Sequence, residues 1–267
     1  MRALLVALMV ATPALMLPGM AVDSTQITVL VAMIAGFMTF MEYNSTFPSI
    51  VDFRNAPPFN RMRFVLLFGT VYVLSVIVKG QTDPTMLSGA LTSMATIISN
   101  YIDFPFSPVR LFVLMLPENA GPELVRLVRN TAGTAYFLSL LAMGALVILV
   151  RVLGWPTRQG AFNVWINLPL FDPTGGGDVL QRLHRDARIN IAIGFLLPFL
   201  VPAVVSTASE LFGPLTFTSP QSLVWMISGW AFLPASMIMR GLAMARVADM
   251  IQDKRRRADA QGTLQTI

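Results

Sequence analysis

The chain has 267 residues, of which 55% are hydrophobic, only 12% are charged and none is cysteine. Without cysteine there can be no disulfide, iron–sulfur cluster, thiolate zinc site or catalytic thiol. Soluble domains are about 25% charged, so this composition predicts an all-α, polytopic integral membrane protein. The net charge of +5 lies mostly beside apolar runs, which favours anionic lipid over nucleic acid as its partner.

Residues 1–21 have two interpretations. Arg2 precedes an apolar run, and Gly19 and Ala21 are small residues at the positions that a signal peptidase reads. The same stretch is also typical of an uncleaved first helix that bends at its prolines. The residues alone leave both alternatives open.

Five further stretches approach the roughly 20 apolar residues that a membrane-spanning helix needs. The first two are short, and they become long enough if the polar groups at their ends reach the interface. The predicted spans are 27–41, 64–78, 132–153, 189–206 and 223–243.

The stretch 86–102 is moderately apolar and carries a polar stripe at helical spacing. Such a stripe is typical of a membrane helix that packs through Ser and Thr, but a re-entrant or surface-lying helix has the same pattern. The candidate pathway or packing residues of this region are Ser88, Thr92, Thr96, Asn100 and Asp103.

The cations discriminate between these topologies, since Lys and Arg accumulate on the cytoplasmic side of a membrane protein. If 86–102 spans, the bundle has seven helices and the 19 cations are divided rather evenly between the two sides. If it does not span, one side keeps only Lys79, Arg110, Arg126 and Arg129. The sequence therefore predicts six spanning helices, or five after signal cleavage, with a cytoplasmic C-terminus in a prokaryotic inner (plasma) membrane.

One pattern favours seven spans instead. Residues 51–67 contain an Asp-Phe pair followed by Pro-Phe, Arg and an apolar run. Residues 102–115 repeat the same order. A true parallel repeat would place both copies on the same side of the membrane.

Residues 1–245 are predicted to form one transmembrane domain, within which 154–188 is a cytoplasmic loop. Trp155 and Trp165 are interpreted as interface anchors in this loop, and the glycine-rich run 172–178 is interpreted as a hinge rather than a phosphate loop. Asp178 is a suitable N-cap for an amphipathic helix over 179–188, lying on the anionic inner leaflet. Residues 246–267 form a basic cytoplasmic tail. The residues assigned to lipid headgroups are Arg182, Arg185, Arg188, Lys254, Arg255, Arg256 and Arg257.

No motif indicates catalysis, a metal or a cofactor. His184 is the single histidine, whereas bis-histidine haem needs two and a catalytic zinc about three ligands. No lysine lies inside a span to form a Schiff base. We therefore expect a non-enzymatic protein with no cofactor.

A few polar and helix-distorting residues remain as functional candidates. Glu210 lies near a helix end, in a region without any cation, and is the least explained. Pro198 and Pro202 each free a backbone carbonyl inside a span, as in many transporter helices. Other polar residues near span ends are interpreted as interface groups: Glu42, Asn44, Arg110 and Arg240.

Two functions compete at this point. The first is a membrane subunit or assembly factor that acts by helix packing, with other membrane subunits or further copies of itself as partners. The second is a small permease or channel subunit in which 189–206 and the stripe at 88–100 line the path.

Overall fold

The computed structural model describes residues 1–18, 22–156, 167–169, 171, 177–212 and 219–265, without the side chains of 22–23, 209–212 and 262–265. Every regular element within these ranges is a helix. In chain order they are α1 (Arg2–Met16), α2 (Val22–Asn44), α3 (Phe59–Lys79), α4 (Met86–Ile102), α5 (Pro108–Val113), α6 (Pro122–Arg151), α7 (Val179–Phe212) and α8 (Pro220–Gln265).

Five of these helices, α2, α3, α6, α7 and α8, contain a stretch long and apolar enough to cross a membrane. The expectation of a multi-pass helical membrane bundle is therefore confirmed. The helix α1 has 15 residues and is about 22 Å long, which is less than the hydrocarbon thickness of about 30 Å.

The helices α1 and α2 form a hairpin held by small residues. The buried stripe of α2 comprises Thr28, Ala32 and Gly36 at intervals of four residues. A Cβ at Gly36 would lie 3.2 Å from the Ala3 carbonyl oxygen, so glycine allows close approach of the two backbones. Residues 1–16 thus form a packed helix, and the proposed cleavage positions 19–21 lie outside the described residues.

Two apolar clusters define the two ends of the bundle. The first contains Leu74 of α3, Val128 of α6 and Ile227 of α8, and α4 and α5 adjoin it; we call this the α4 end. The second contains Phe59 of α3 and Leu183 of α7, together with late residues of α6 and α8. Because most of the arginines lie here, we call it the basic end. Accordingly, α3 and α7 run from the basic end to the α4 end, and α6 and α8 run in the opposite direction.

The segment between α3 and α6 begins and ends at the α4 end. A Cβ added at Gly80, just after α3, would lie 2.6 Å from Ser88 Cβ of α4, and one added at Gly133, in the first half of α6, would lie 2.7 Å from Ser99 Cβ. The buried Phe112 of α5 belongs to the same apolar cluster. This agrees with the predicted surface-lying or re-entrant segment, and the seven-helix alternative does not fit.

The parallel repeat also does not fit this structure. Phe53 in the first copy is buried in the cluster of the basic end, whereas Val109 and Phe112 in the second copy are buried at the α4 end. The two copies therefore lie at opposite ends of the bundle.

The helices α7 and α8 are longer than predicted. The expected surface helix 179–188 and the following span form one helix of 34 residues, since no Gly or Pro interrupts the chain between them. Its buried residues Leu183 and Ala187 face the apolar cluster of the basic end rather than lipid. The predicted tail likewise continues α8, which reaches 46 residues, or about 69 Å.

The loop 45–58 forms a cap at the basic end and is hydrogen-bonded to Trp155 and Asn167. The Phe53 amide donates to the Asn167 carbonyl at 2.6 Å, and the Trp155 indole Nε1 donates to the Pro57 carbonyl at 3.1 Å. The Phe53 ring is fully buried, 4.6 Å from the Phe59 ring. The loop 45–58 is therefore bonded to Trp155 and Asn167.

Candidate functional site

The basic end contains a buried ion pair that the long-range fold assembles. Asp52 lies in the loop 45–58, and its side chain is 6% exposed. Arg240 of α8 donates from Nε to Asp52 Oδ2 at 2.6 Å and from Nη1 to Asn190 Oδ1 at 3.4 Å. Asn190 in turn donates to the Asp186 carbonyl of its own helix α7 at 2.8 Å. One guanidinium thus connects the cap to α7 and α8.

A second arginine lies beside this pair. Burial raises the pKa of Asp52, and the attraction of Arg240 and Arg63 opposes that rise. The Arg63 guanidinium lies 5.7 Å from the Phe59 ring centroid and 5.9 Å from that of Phe232. Asp52 Oδ1 and Arg63 Nε are buried and have no hydrogen-bond partner among the residues that the structure describes. A buried carboxyl group with a raised pKa is a candidate proton-binding group.

Glu42, which the sequence suggested as an interface residue, closes the loop that follows α2. Its carboxylate accepts from the Ser49 hydroxyl at 3.0 Å and from the amides of Ser49 and Ile50. Arg54 Nη1 donates to the carbonyls of Glu42 and Ser45 at 2.8 and 2.6 Å. These bonds give Glu42 a structural role.

The predicted candidate Asp103 is the centre of a second ion-pair cluster, at the α4 end. Its side chain is 5% exposed, and its two oxygens lie 2.8 Å from Arg110 Nε and 2.9 Å from Arg129 Nε. Both arginines are about a third exposed at their side chains. Asp103 therefore joins the end of α4 to α5 and α6.

The polar stripe of α4 mainly mediates packing. Ser88 forms a capping box with Thr85 at the start of the helix. Asn130 of α6 donates to Thr96 Oγ1 at 2.9 Å, and its Oδ1 accepts from the Ser99 hydroxyl at 2.9 Å. Thr92 is partly buried and Asn100 is exposed. The stripe does not come together at one site.

The two prolines of α7 also serve packing. Both Pro198 and Pro202 are buried, and α7 continues through them. Since Pro202 has no N–H, the carbonyl of Pro198 four residues earlier lacks its helical donor. The indole Nε1 of Trp230 on α8 donates to that carbonyl at 3.2 Å. The neighbouring helix thus satisfies the group that the proline leaves unpaired.

The residues assigned to lipid headgroups have different surroundings. The Arg182 guanidinium lies 5.1 Å from the Phe171 ring centroid, and Arg185 Nε is 3.4 Å from Asp186. Arg255 Nη1 donates to Asp178 at 3.0 Å. The Leu180 amide and Arg255 lower the pKa of Asp178, and the Leu180 bond agrees with its predicted N-cap role. The remaining cations are exposed: Arg188, Lys254, Arg256 and Arg257.

Some predicted candidates lie outside the described residues: the Glu210 side chain, Trp165 and most of the glycine-rich run 172–178. Sequence reasoning missed the partners Asp52, Arg63 and Asn190, although Arg240 was noted as a polar residue at the edge of a span. The available signal was the rule that an ionisable group at membrane depth requires a partner.

The chain matches no family model, no curated protein and no solved structure. Among the described residues, no group of three or more His, Asp or Glu side chains is arranged to hold a metal ion.

Proposed function

We propose that the protein is a non-enzymatic membrane subunit or assembly factor that acts by helix packing within a larger membrane complex. The observation that supports this proposal most strongly is the hydrogen bonding of hydroxyl groups between the two ends of the bundle. The hydroxyls of Thr70, Ser75 and Thr134 each donate to a carbonyl of their own helix at 2.7 Å. The Ser139 hydroxyl donates from α6 to the Ala231 carbonyl of α8 at 3.0 Å. These hydroxyl donors serve internal bonds rather than a ligand.

The same observation weighs against the alternative function, a permease or channel subunit. The segments expected to line its path are the stripe of α4 and the two prolines of α7. The α4 stripe lies at one end of the bundle and bonds to Asn130. The Pro198 carbonyl bonds to Trp230.

We propose α2 as the contact helix for the partner subunit. Its small buried residues serve contacts within the protein: Gly36 packs against α1, and Thr28 accepts from Gln221 of α8 at 2.8 Å. Its large apolar side chains point outward, with Phe37 63% exposed and Met33 61% exposed. Small residues usually mediate helix packing in membranes, and here they are already used inside the bundle. The outward face therefore offers the partner large side chains for van der Waals contact.

We further propose that the basic end faces the cytoplasm, across an inner (plasma) membrane with an anionic inner leaflet. Four of the described cations belong to the α4 end, Lys79, Arg110, Arg126 and Arg129, and the others lie toward the basic end. Lys and Arg are retained on the cytoplasmic side. The C-terminal end of α8 would then be cytoplasmic.

The test is the native mass of the protein purified from its own membrane in mild detergent. Stable co-purification of other subunits supports the proposal. The double variant Ile34→Ala/Phe37→Ala should lose those subunits, and Leu140→Ala/Leu141→Ala on exposed positions of α6 is the matched control. A self-contained oligomer whose reconstituted vesicles take up solute would instead support the permease and contradict the proposal.

A further inference from the structure

The outward face of α7 carries an open cavity at the basic end. The described residues that line it are Gln181, His184 and Arg188, and its volume is about 490 Å³. Arg188 Nε donates to the His184 carbonyl at 3.3 Å. This bond orients the guanidinium and leaves both of its terminal nitrogens without a partner among the described residues. A guanidinium presented in this way suits bidentate binding of a phosphate group.

The cavity continues directly into an exposed apolar surface. Arg188 is followed on the same helical face by Ala192, Phe195 and Phe199, at spacings of four, three and four residues. Phe195 is 63% exposed, and its ring lies 5.9 Å from that of Phe199. From Arg188 to Phe199 this face extends about 16 Å along the helix, which is enough to accompany much of one acyl chain through a leaflet about 15 Å deep.

The charges around the cavity favour an anionic ligand over a zwitterionic one. Asp186, two residues before Arg188 and therefore on nearly the opposite side of the helix, pairs with Arg185 at 3.4 Å. Arg182 is directed to Phe171. No acidic side chain is among the described residues that line the cavity, so these residues offer an ammonium group no counter-charge.

We propose that this face of α7 is a binding site for an anionic phospholipid. Arg188, His184 and Gln181 hold the headgroup phosphate, and Ala192, Phe195 and Phe199 contact an acyl chain. The inference goes beyond the proposed function, because the lipid binds the isolated chain whether or not a partner subunit exists. The proposal assigns the lipid to Arg188 and not to Arg182 or Arg185 in the first turns of α7, because those two arginines contact other residues of the protein.

The test is a lipid titration of the purified full chain, followed by native mass spectrometry. The probes are phosphatidylglycerol, phosphatidylcholine with the same acyl chains, and inorganic phosphate. Phosphatidylglycerol is expected to bind more tightly than either of the others. Because a cation near an anionic surface contributes about 1 kcal/mol, Arg188→Gln should weaken phosphatidylglycerol binding about fivefold.

Two further variants separate headgroup from chain recognition. Arg151→Gln removes an exposed cation at the end of α6, also at the basic end, and should leave the affinity unchanged. Phe195→Ala/Phe199→Ala should weaken phosphatidylglycerol binding without changing the binding of inorganic phosphate. Thermal unfolding of each variant verifies that the bundle is intact.

Three results would overturn the proposal. The first is equal affinity for phosphatidylglycerol and phosphatidylcholine, and the second is an equal loss in Arg188→Gln and Arg151→Gln. The third is inorganic phosphate binding as tightly as the lipid, which would identify a site for a soluble anion instead.

Discussion

Replacing Trp230 by Phe removes one hydrogen bond whose importance depends on a proline in another helix. The indole Nε1 of Trp230 donates to the Pro198 carbonyl at 3.2 Å, the carbonyl that Pro202 leaves without its helical donor. Trp230 is 5% exposed and Pro198 is buried. In Trp230→Phe that carbonyl has neither a protein partner nor access to water.

The expected loss has two parts. A buried carbonyl left unpaired costs about 1–3 kcal/mol, and hydrogen bonds between membrane helices average about 0.6 kcal/mol with a maximum near 1.7. We therefore assign about 1–1.5 kcal/mol to the bond. The smaller ring also loses contact with Phe112 and Tyr136, whose centroids lie 4.6 and 5.9 Å away, and this adds a packing loss that is independent of Pro202.

A double-mutant cycle with Pro202→Ala separates the two parts. Alanine restores an N–H at position 202, which can donate to the Pro198 carbonyl within the helix. Trp230→Phe should then cost about 1 kcal/mol less in the Pro202→Ala protein than in the parent. The free energy of unfolding is measured by denaturant titration in detergent micelles. Equal losses in both backgrounds would refute the assignment of Trp230 to the proline-freed carbonyl.

Three further predictions concern packing and charge. Gly194→Ala should destabilise the bundle by about 1–3 kcal/mol, since the added Cβ would lie 2.8 Å from the Pro234 carbonyl oxygen. The control Gly229→Ala has open space around the added Cβ and should be neutral or stabilising in the same denaturant titration. Asp103→Asn should lower the free energy of unfolding by about 1–3 kcal/mol, because a nearly buried carboxylate then no longer pairs with two arginines. The control Asp83→Asn breaks only an exposed pair with Lys79 and should cost under about 1 kcal/mol. Similar losses in the two variants would contradict the role assigned to Asp103. Because burial raises the pKa of Asp52 in the folded protein, the folded state binds that proton more tightly than the unfolded chain. The free energy of unfolding should therefore fall as the pH rises from the ordinary aspartate pKa through the raised one. Asp52→Asn should remove this fall. If the variant kept the pH profile of the parent protein, the assignment to Asp52 would be wrong.

Local patterns in the sequence predicted much of the fold. The bounds 86–102 of α4 were predicted at both ends from a moderately apolar stretch whose polar stripe has helical spacing. Asp178 was predicted as an N-cap, and its Oδ1 accepts from the Leu180 amide at 3.2 Å. The uneven distribution of cations indicated that the segment 80–121 begins and ends on the same side of the membrane.

Pairs of residues that are distant in sequence were not predictable. Asp52 and Arg240 are separated by 188 positions, and no periodicity connects them. Arg240 had no partner within its own segment, which indicated only that one exists elsewhere. Asn130 lies in an apolar helix where a single amide gives no periodic signal, yet it bonds to two residues of α4. The unbroken course of α7 through 188 was not predicted, because the change from basic to apolar residues was interpreted as a division although no residue there breaks the helix.

Single-cysteine accessibility labelling in intact membranes tests the topology most directly, because the chain has no cysteine of its own. The exposed positions Gln81 and Glu118 flank the α4 end, and Gln181 and Ala258 lie at the basic end and beyond it. We expect cysteines at 81 and 118 to react from one side of the membrane and those at 181 and 258 to react from the other. Labelling of 81 and 118 from opposite sides would contradict this expectation, since the segment between α3 and α6 would then cross the bilayer.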